Sequence, residues 1–413
     1  MRAIRRWMLV GSLSVCGFLL GGGCIAILGP IFGPMMRELG WSNARIATLA
    51  TSYTIGNLAS NPVVGAALDR FGARVVLLLG AASVAVGLTC ASQSHSWMLL
   101  AACFALIGVG MTGVSLPSAF VITQSLPTQK GLGMGIFMGA LSVGAAVALT
   151  VVSAWLNAVG WRHVMLRLAV INAALLPMIW LCVRTQEERT AVQAAATATT
   201  RDSRSEVLGL LLSLPFLIAA LSSALFTVGM LGIYYDVVDL LVKAGYSQRS
   251  AAVVFGSTWL VSGAGSLVFG LLADRFGPVR VLVGVVFACA CGTLCLFGTP
   301  HPRYGVVCLV AFVVLWGSTG NGFTQLIPAV FVERFGPNHL GTLLGAQFAI
   351  AGVAGALAPL TTGLLVDSSG DYHVAIALSA SATFVSAALA FLLGFSRFAP
   401  RFPDAVQQVG ELK

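Results

Sequence analysis

Few residues in this chain could do acid, base or hydrogen-bond chemistry, because 413 residues include only 23 Lys plus Arg and 14 Asp plus Glu. The densest group is Tyr234, Tyr235, Asp236 and Asp239, followed by Lys243 and Gly245. A carboxyl held out of water titrates nearer neutrality, as a group that takes up and releases protons requires. Asp236 and Asp239 are therefore candidate proton carriers, with the two tyrosines as hydrogen-bonding neighbours. For Asp239 the alternative is a plain ion pair with Lys243 one helical turn on, and for Asp236 it is a structural role. Asn321, Thr324 and Gln325 would present two amides and a hydroxyl on one helical face, suited to holding a carboxylate or carbonyl, or equally to bonding between helices. Tyr53, Asn57 and Asn61 recur every four residues as a polar stripe that must face protein or water. Thr112 and Ser115, among Gly108, Gly110, Gly113 and Pro117, add hydroxyls on a loosened backbone. Gln347 is the most polar long side chain of its segment.

The segments that carry these groups are otherwise apolar. Hydrophobic residues make up 58% of the chain and its mean hydropathy is +0.93. A soluble domain charges about a quarter of its positions, so an ordinary soluble enzyme is excluded. Apolar stretches fall at 8–36, 45–68, 75–92, 98–123, 131–159, 162–183, 212–242, 249–272, 279–299, 304–330, 341–366 and 374–396. Crossing the hydrocarbon core takes about 20 residues, so the pattern predicts an all-α membrane protein of twelve transmembrane helices. Counted from a cytoplasmic N-terminus, 16 basic residues fall on the inner connections and seven on the outer ones, which places both termini in the cytoplasm. Met1 to Trp7 with the apolar run behind them superficially resemble a signal peptide, but the run is too long and reads as an uncleaved first helix.

The net charge of +9 is thus a matter of orientation and gives no reason to expect nucleic acid. The nine cysteines show neither a disulfide framework nor metal-ligand spacing and read as small core residues; no cofactor is expected. The polar stretch from Arg184 to Glu206, with its Ala and Thr run, reads as a cytoplasmic linker. The expected organisation is a six-helix bundle over 1–183, a linker over 184–211, a second bundle over 212–396 and a tail over 397–413.

An internal repeat supports that division. Residues 39–72 and 244–277 align without a gap, with 11 of 34 positions identical, including Gly65 with Gly270 and the whole Asp-Arg-Phe-Gly of 69–72 with 274–277. Their offset is half the chain, as expected for two parallel repeats. Gly65 and Gly270 would let a neighbouring helix approach closely. Asp69 and Asp274 end their helices, where the dipole disfavours an acid unless a basic partner or another helix's N-terminus holds it. Arg70, Arg74, Arg275 and Arg280 supply basic charge beside them.

Gly65, Asp69, Arg70, Gly72 and Arg74, repeated as Gly270, Asp274, Arg275, Gly277 and Arg280, resemble the loop signature of the major facilitator superfamily. The second copy has one extra residue before its last Arg. In that superfamily the loop is a cytoplasmic gate latch. The Gly-Trp-Ser entering the second span, the Gly160, Trp161, Arg162 turn and the stretch from Phe335 to Gly370 look like the bacterial monocarboxylate and oxalate/formate exchanger branch. The resemblance implies that spans 1, 4, 7 and 10 line a central cavity, flanked by 2, 5, 8 and 11. It implies a proton-coupled transporter of a monocarboxylate or related organic acid, acting as a monomer in the inner cell membrane; by helix rise Asp236 and Asp239, about 13 and 9 Å below Gly245, could both face the outer cavity. The buried cation on which anion binding rests in that branch is absent from spans 8 and 11, which also admits a neutral, aromatic or zwitterionic cargo. An exporter of the same fold is one alternative, and a membrane sensor that transports nothing is another.

Overall fold

The computed structural model describes residues 2–25, 28–41, 43–126, 128–197, 203–336 and 339–394. Every regular element among them is helical: α1 (Arg2–Ile25), α2 (Leu28–Leu39), α3 (Asn43–Gln93), α4 (Trp97–Ser125), α5 (Lys130–Thr197), α6 (Ser203–Leu211), α7 (Leu214–Tyr234), α8 (Val237–Lys243), α9 (Gln248–Phe276), α10 (Pro278–Cys295), α11 (Gly305–Phe312), α12 (Gly322–Phe335), α13 (Leu340–Ser369) and α14 (His373–Leu392). Ten helical segments are long and apolar enough to cross a bilayer. One of these, Thr48–Gln93, has 46 residues, which as a single rod would measure about 69 Å, twice the hydrocarbon thickness.

It is not a single rod. Gly72 has φ 79° and ψ 163°, a conformation that only glycine takes without strain, and the chain reverses there. Both arms of α3 lie along α4 in opposite senses. In the first arm Thr48 accepts from the Trp97 indole and Asn57 reaches Gly108, while in the second Gly87 abuts Cys103 and Gly80 abuts Gly113. The two arms are the predicted stretches 45–68 and 75–92. Gly160, with φ 76° and ψ 165°, divides α5 in the same way. Beyond the second arm α5 continues helical to Thr197, through the first part of the predicted linker, because Ala and Gln favour helix even without packing. The middle of that linker, 198–202, and the tail 397–413 lie outside the described residues.

Buried apolar side chains gather into two clusters. One is drawn from residues 9–183 around Phe104, Phe137 and Trp161; the other is drawn from 216–393 around Phe216, Trp316 and Phe331, joined by Val64, Leu68, Val76 and Leu116. Between these sets α5 packs on α9 and α13 packs on α3. The exterior is apolar too: Val63, Leu79, Met98, Val170, Leu181, Leu260 and Val306 are each more than 60% exposed. Such a surface would aggregate in water and is at rest only in hydrocarbon.

One corner is pinned by charge. Glu38 on α2 accepts from the Trp161 indole at 2.6 Å and from Arg162 Nε at 2.8 Å, and Arg162 Nη1 donates to the carbonyls of Ser92 and Ser94. The hydrogen bond from the Arg162 guanidinium, helped by the indole and opposed by slight burial, holds the Glu38 carboxyl below the usual carboxylate range. Three connections of the first half meet on this pair.

Candidate functional site

The duplicated loops place two carboxylates at two helix N-termini. Asp69, in the first arm of α3, accepts from the backbone N–H of Gly341 at 3.0 Å and of Thr342 at 2.7 Å, and from the Thr342 hydroxyl. Asp274, near the end of α9, accepts from the N–H of Gly131 at 2.7 Å and of Leu132 at 2.8 Å. Each acid thus caps a helix of the opposite half, α13 in one case and α5 in the other, where unpaired N–H groups and the positive dipole end favour it. The sequence left open a basic partner or a helix terminus; the geometry has the terminus. Arg70, Arg74 and Arg275 instead lie over Phe71, Trp180 and Phe276 at 5.2, 4.8 and 5.4 Å. A Cβ at Gly65 would collide with the Gly341 carbonyl, and one at Gly270 with the Gly131 carbonyl, so both crossings need glycine.

Away from these crossings lie two adjoining cavities. The larger, about 870 Å³, lies between the halves, walled by Ala50, Thr54, Asn57, Asn61, Thr112 and Ser115 on one side and by Thr227, Thr324, Phe348 and Gly355 on the other. The smaller, about 340 Å³, is an inner chamber within the second half. Thr227, Leu231, Tyr235, Thr324, Phe348 and Ala351 line both, so the two are continuous.

The inner chamber is aromatic and unionised. Phe226 and Phe323 are stacked at 4.5 Å, and Tyr234 sits edge-on to Phe255 at 5.1 Å and to Trp259 at 6.3 Å. No Asp, Glu, Lys, Arg or His lines either cavity among the described residues. Two buried polar groups without partners do. Gln347 on α13 is 1% exposed, and neither its amide oxygen nor its amide nitrogen has a partner; Trp316 is 1% exposed with its indole N–H unpartnered. Leaving a buried polar group unsatisfied costs about 1–3 kcal/mol, and here the cost is concentrated on two walls of one chamber. Trp316 sits in a π-helical turn, Val313–Gly317, after which the backbone leaves the helix until Gly322. Irregular backbone at this depth is tolerated where it lines a cavity.

The predicted site residues divide. Asn57, Asn61, Thr112, Ser115, Thr324, Tyr235 and Gln347 line the large cavity, the chamber or both, and Tyr234 and Asn321 line the chamber. Asn321 also donates to Ser142 at 2.6 Å across the halves, and Thr112 donates to the Asn57 carbonyl at 2.8 Å. Gln325 does not join them. Its amide donates to the Ser266 carbonyl at 2.9 Å on α9: the backbone from Asn321 onward is helical, and Gln325, about 100° round the helix from its neighbour Thr324, faces α9 while Thr324 faces the cavity. Tyr53 packs within the first half, outside both linings. Asp236 and Asp239 line neither cavity. The helix ends at Tyr234, so Asp236 falls in the turn before α8, while Asp239 accepts from the Tyr372 hydroxyl at 2.7 Å and lies 3.7 Å from Lys243. The side chains of residues 21–30, in the middle of the first span, lie outside the described ones, and no described residue of α1 or α2 is in either lining. Trp259, Phe226 and Phe323 escaped sequence reasoning, because an aromatic in an apolar helix carries no signal that separates a cavity wall from packing.

A sequence profile of the Major Facilitator Superfamily matches residues 13–359. The chain belongs to the major facilitator superfamily. Its relatives within that superfamily include an MFS-type transporter of Gibberella moniliformis, 25% identical over 76% of this chain and 73% of the relative. Monocarboxylate transporter 12 of Mus musculus is 24% identical over 78% and 71%, and the uncharacterized MFS-type transporter YcxA of Bacillus subtilis is 25% identical over 76% and 77%. Among solved structures, the proton:xylose symporter XylE superposes with a TM-score of 0.78, covering 97% of both chains, and FucP in its outward conformation with 0.76, covering 95% of this chain and all of that one. Both are 14% identical, so they speak for the superfamily fold alone. An all-helical, multi-pass membrane transporter is the conclusion from the match together with the apolar helices.

Proposed function

We propose that the protein is a secondary transporter that carries a small organic acid, a monocarboxylate or a near relative, across the cell membrane by alternating access, driven by the proton gradient. The observation that carries this reading is the cavity between the halves, which ends in an aromatic chamber with buried polar groups awaiting a partner. Relatives that bear the name monocarboxylate transporter 12 support the choice of cargo. The halves, 1–183 and 212–396, act as rocking bundles joined by the linker 184–211. Twelve spans complete the arrangement: the ten apolar segments, with Thr48–Gln93 counted twice for its reversal at Gly72, and α1 with α2 as the first span. With the basic residues retained inside, the Asp69 and Asp274 loops face the cytoplasm as latches that are shut while the cavity is open to the opposite side.

The test is uptake of labelled aromatic and aliphatic monocarboxylates into reconstituted vesicles under an imposed pH gradient. Accumulation should follow an acidic exterior and collapse when a protonophore is added. Uptake indifferent to the gradient would sink proton coupling, and a cargo that builds up only in cells lacking the protein would reverse the direction.

A further inference from the structure

The chamber lacks any fixed charge among its described residues, and its one complete hydrogen-bonding unit without a partner is a primary amide. A carboxylate anion entering it would meet no cation, and Gln347 could offer it only an N–H while its own carbonyl oxygen faced a second acceptor. An un-ionised carboxylic acid is the complement of that amide. Its O–H donates to the Gln347 carbonyl while its C=O accepts from the Gln347 N–H, and the Trp316 indole N–H is left to serve the second lone pair of the acid carbonyl. We infer that the inner chamber binds an aromatic carboxylic acid in its neutral form, with Gln347 as the group that recognises it, so that the coupled proton travels on the cargo. The walls supply the rest of the fit: Phe226 and Phe323, stacked on each other at 4.5 Å, and Tyr234 among Phe255, Trp259 and Trp316 make an aromatic lining for an aromatic cargo.

Proton bookkeeping then needs no protein carboxylate. One proton joins the anion on the acidic side, the neutral acid crosses, and the proton leaves with the anion on the other side. The titratable groups around Gln347 leave this route clear. Tyr234 and Tyr235 are the only ones in the chamber wall among the described residues. Asp236, Asp239 and Lys243 stand beyond the break of α7, and His373 begins α14. At the opposite end Asp69 is occupied by the α13 N-terminus and Glu333 lies near the end of α12. On α13 itself, His339 precedes Gln347 by about two turns and Asp367 stands beyond it by about 30 Å of helix.

This inference rests on the organic-acid reading above, and one experiment separates the two. Binding of benzoic acid, of the stronger 4-nitrobenzoic acid and of benzamide to the purified full-length protein is measured across pH. Expected are affinities for the two acids that fall about tenfold per pH unit above each acid's own pKa, giving two displaced curves, with benzamide, the isostere of the neutral acid, binding at every pH alike. A single midpoint shared by both acids would assign the proton to a protein group and overturn the inference while leaving acid transport standing. Tighter binding of the anions, or no binding of benzamide, overturns it as well. Absence of gradient-driven uptake of any carboxylic acid would remove the functional reading itself. Gln347→Met should weaken acid and amide together by tenfold or more; because the wild-type curves decide the matter unaided, poor folding of that variant would not blur the answer.

Discussion

A carboxylate is judged by its surroundings, and those of Asp236 set it apart from both cavities. Asp236 occupies the turn between α7 and α8, next to Asp239 and Lys243, and lines neither cavity. Replacing Asp236 with Asn is therefore expected to leave the pH profile of uptake unchanged to within twofold. A flattened profile would instead route the proton through this side chain. Glu38 makes a different residue-scale prediction. Its pKa is depressed in the folded protein, so its contribution to stability is present above the unfolded value of about 4.3 and is lost as pH falls through the lower folded value. The melting temperature of wild type should exceed that of Glu38→Gln at neutral pH, and the gap should close below about pH 4. A gap that persists in acid would credit the Trp161 and Arg162 contacts to shape alone.

At the scale of elements, the two caps tie each half to a helix of the other, as the proposed latch requires. Asp69 holds the first turn of α13 and Asp274 that of α5, each across the boundary between the halves. Loss of a cap costs about 0.5–2 kcal/mol, so Asp69→Ala should shift the closing equilibrium of the latch by about two- to thirtyfold towards the open state. Initial uptake should drop while insertion into the membrane stays normal. Asp69→Asn, a competent cap without charge, should keep much of the activity. Full activity in the Ala variant would reduce the loop to a topological anchor. The π-helical turn Val313–Gly317 and the turn after it lie where Trp316, Gly317, Gly320 and Asn321 line the chamber.

For the whole molecule the governing fact is that the two halves touch at glycine crossings near the latches and diverge around a cavity elsewhere. The proposed orientation, with the basic latch side in the cytoplasm, follows from the retention of Lys and Arg on that face and is open to test. In a background with native cysteines replaced, a cysteine at exposed His95 should be labelled in intact cells by a membrane-impermeant maleimide, and one at Glu333 only after the cells are opened. The reverse pattern would invert the orientation, and with it the assignment of Asp69 and Asp274 to a cytoplasmic gate.

Sequence alone determined the features that depend on average composition and on local pattern. Scarce charge and long apolar runs require a bilayer; the skewed Lys and Arg favour one orientation, which the labelling experiment tests; a repeat at half the chain length pairs Asp69 with Asp274 and Gly65 with Gly270. Those signals survive because each is written in neighbouring residues. The tertiary structure alone decided which polar groups share a space. Gln347, Tyr234 and the Trp316–Asn321 stretch come from three segments far apart in the chain, and a π-helical turn at Trp316 and a turn at 319–321 shape the last of these. The end of α7 moved Asp236 out of the site that its spacing suggested, while Gln325 and Trp259 lie in regular helices whose neighbours decide which face meets the cavity, and no local period encodes those neighbours.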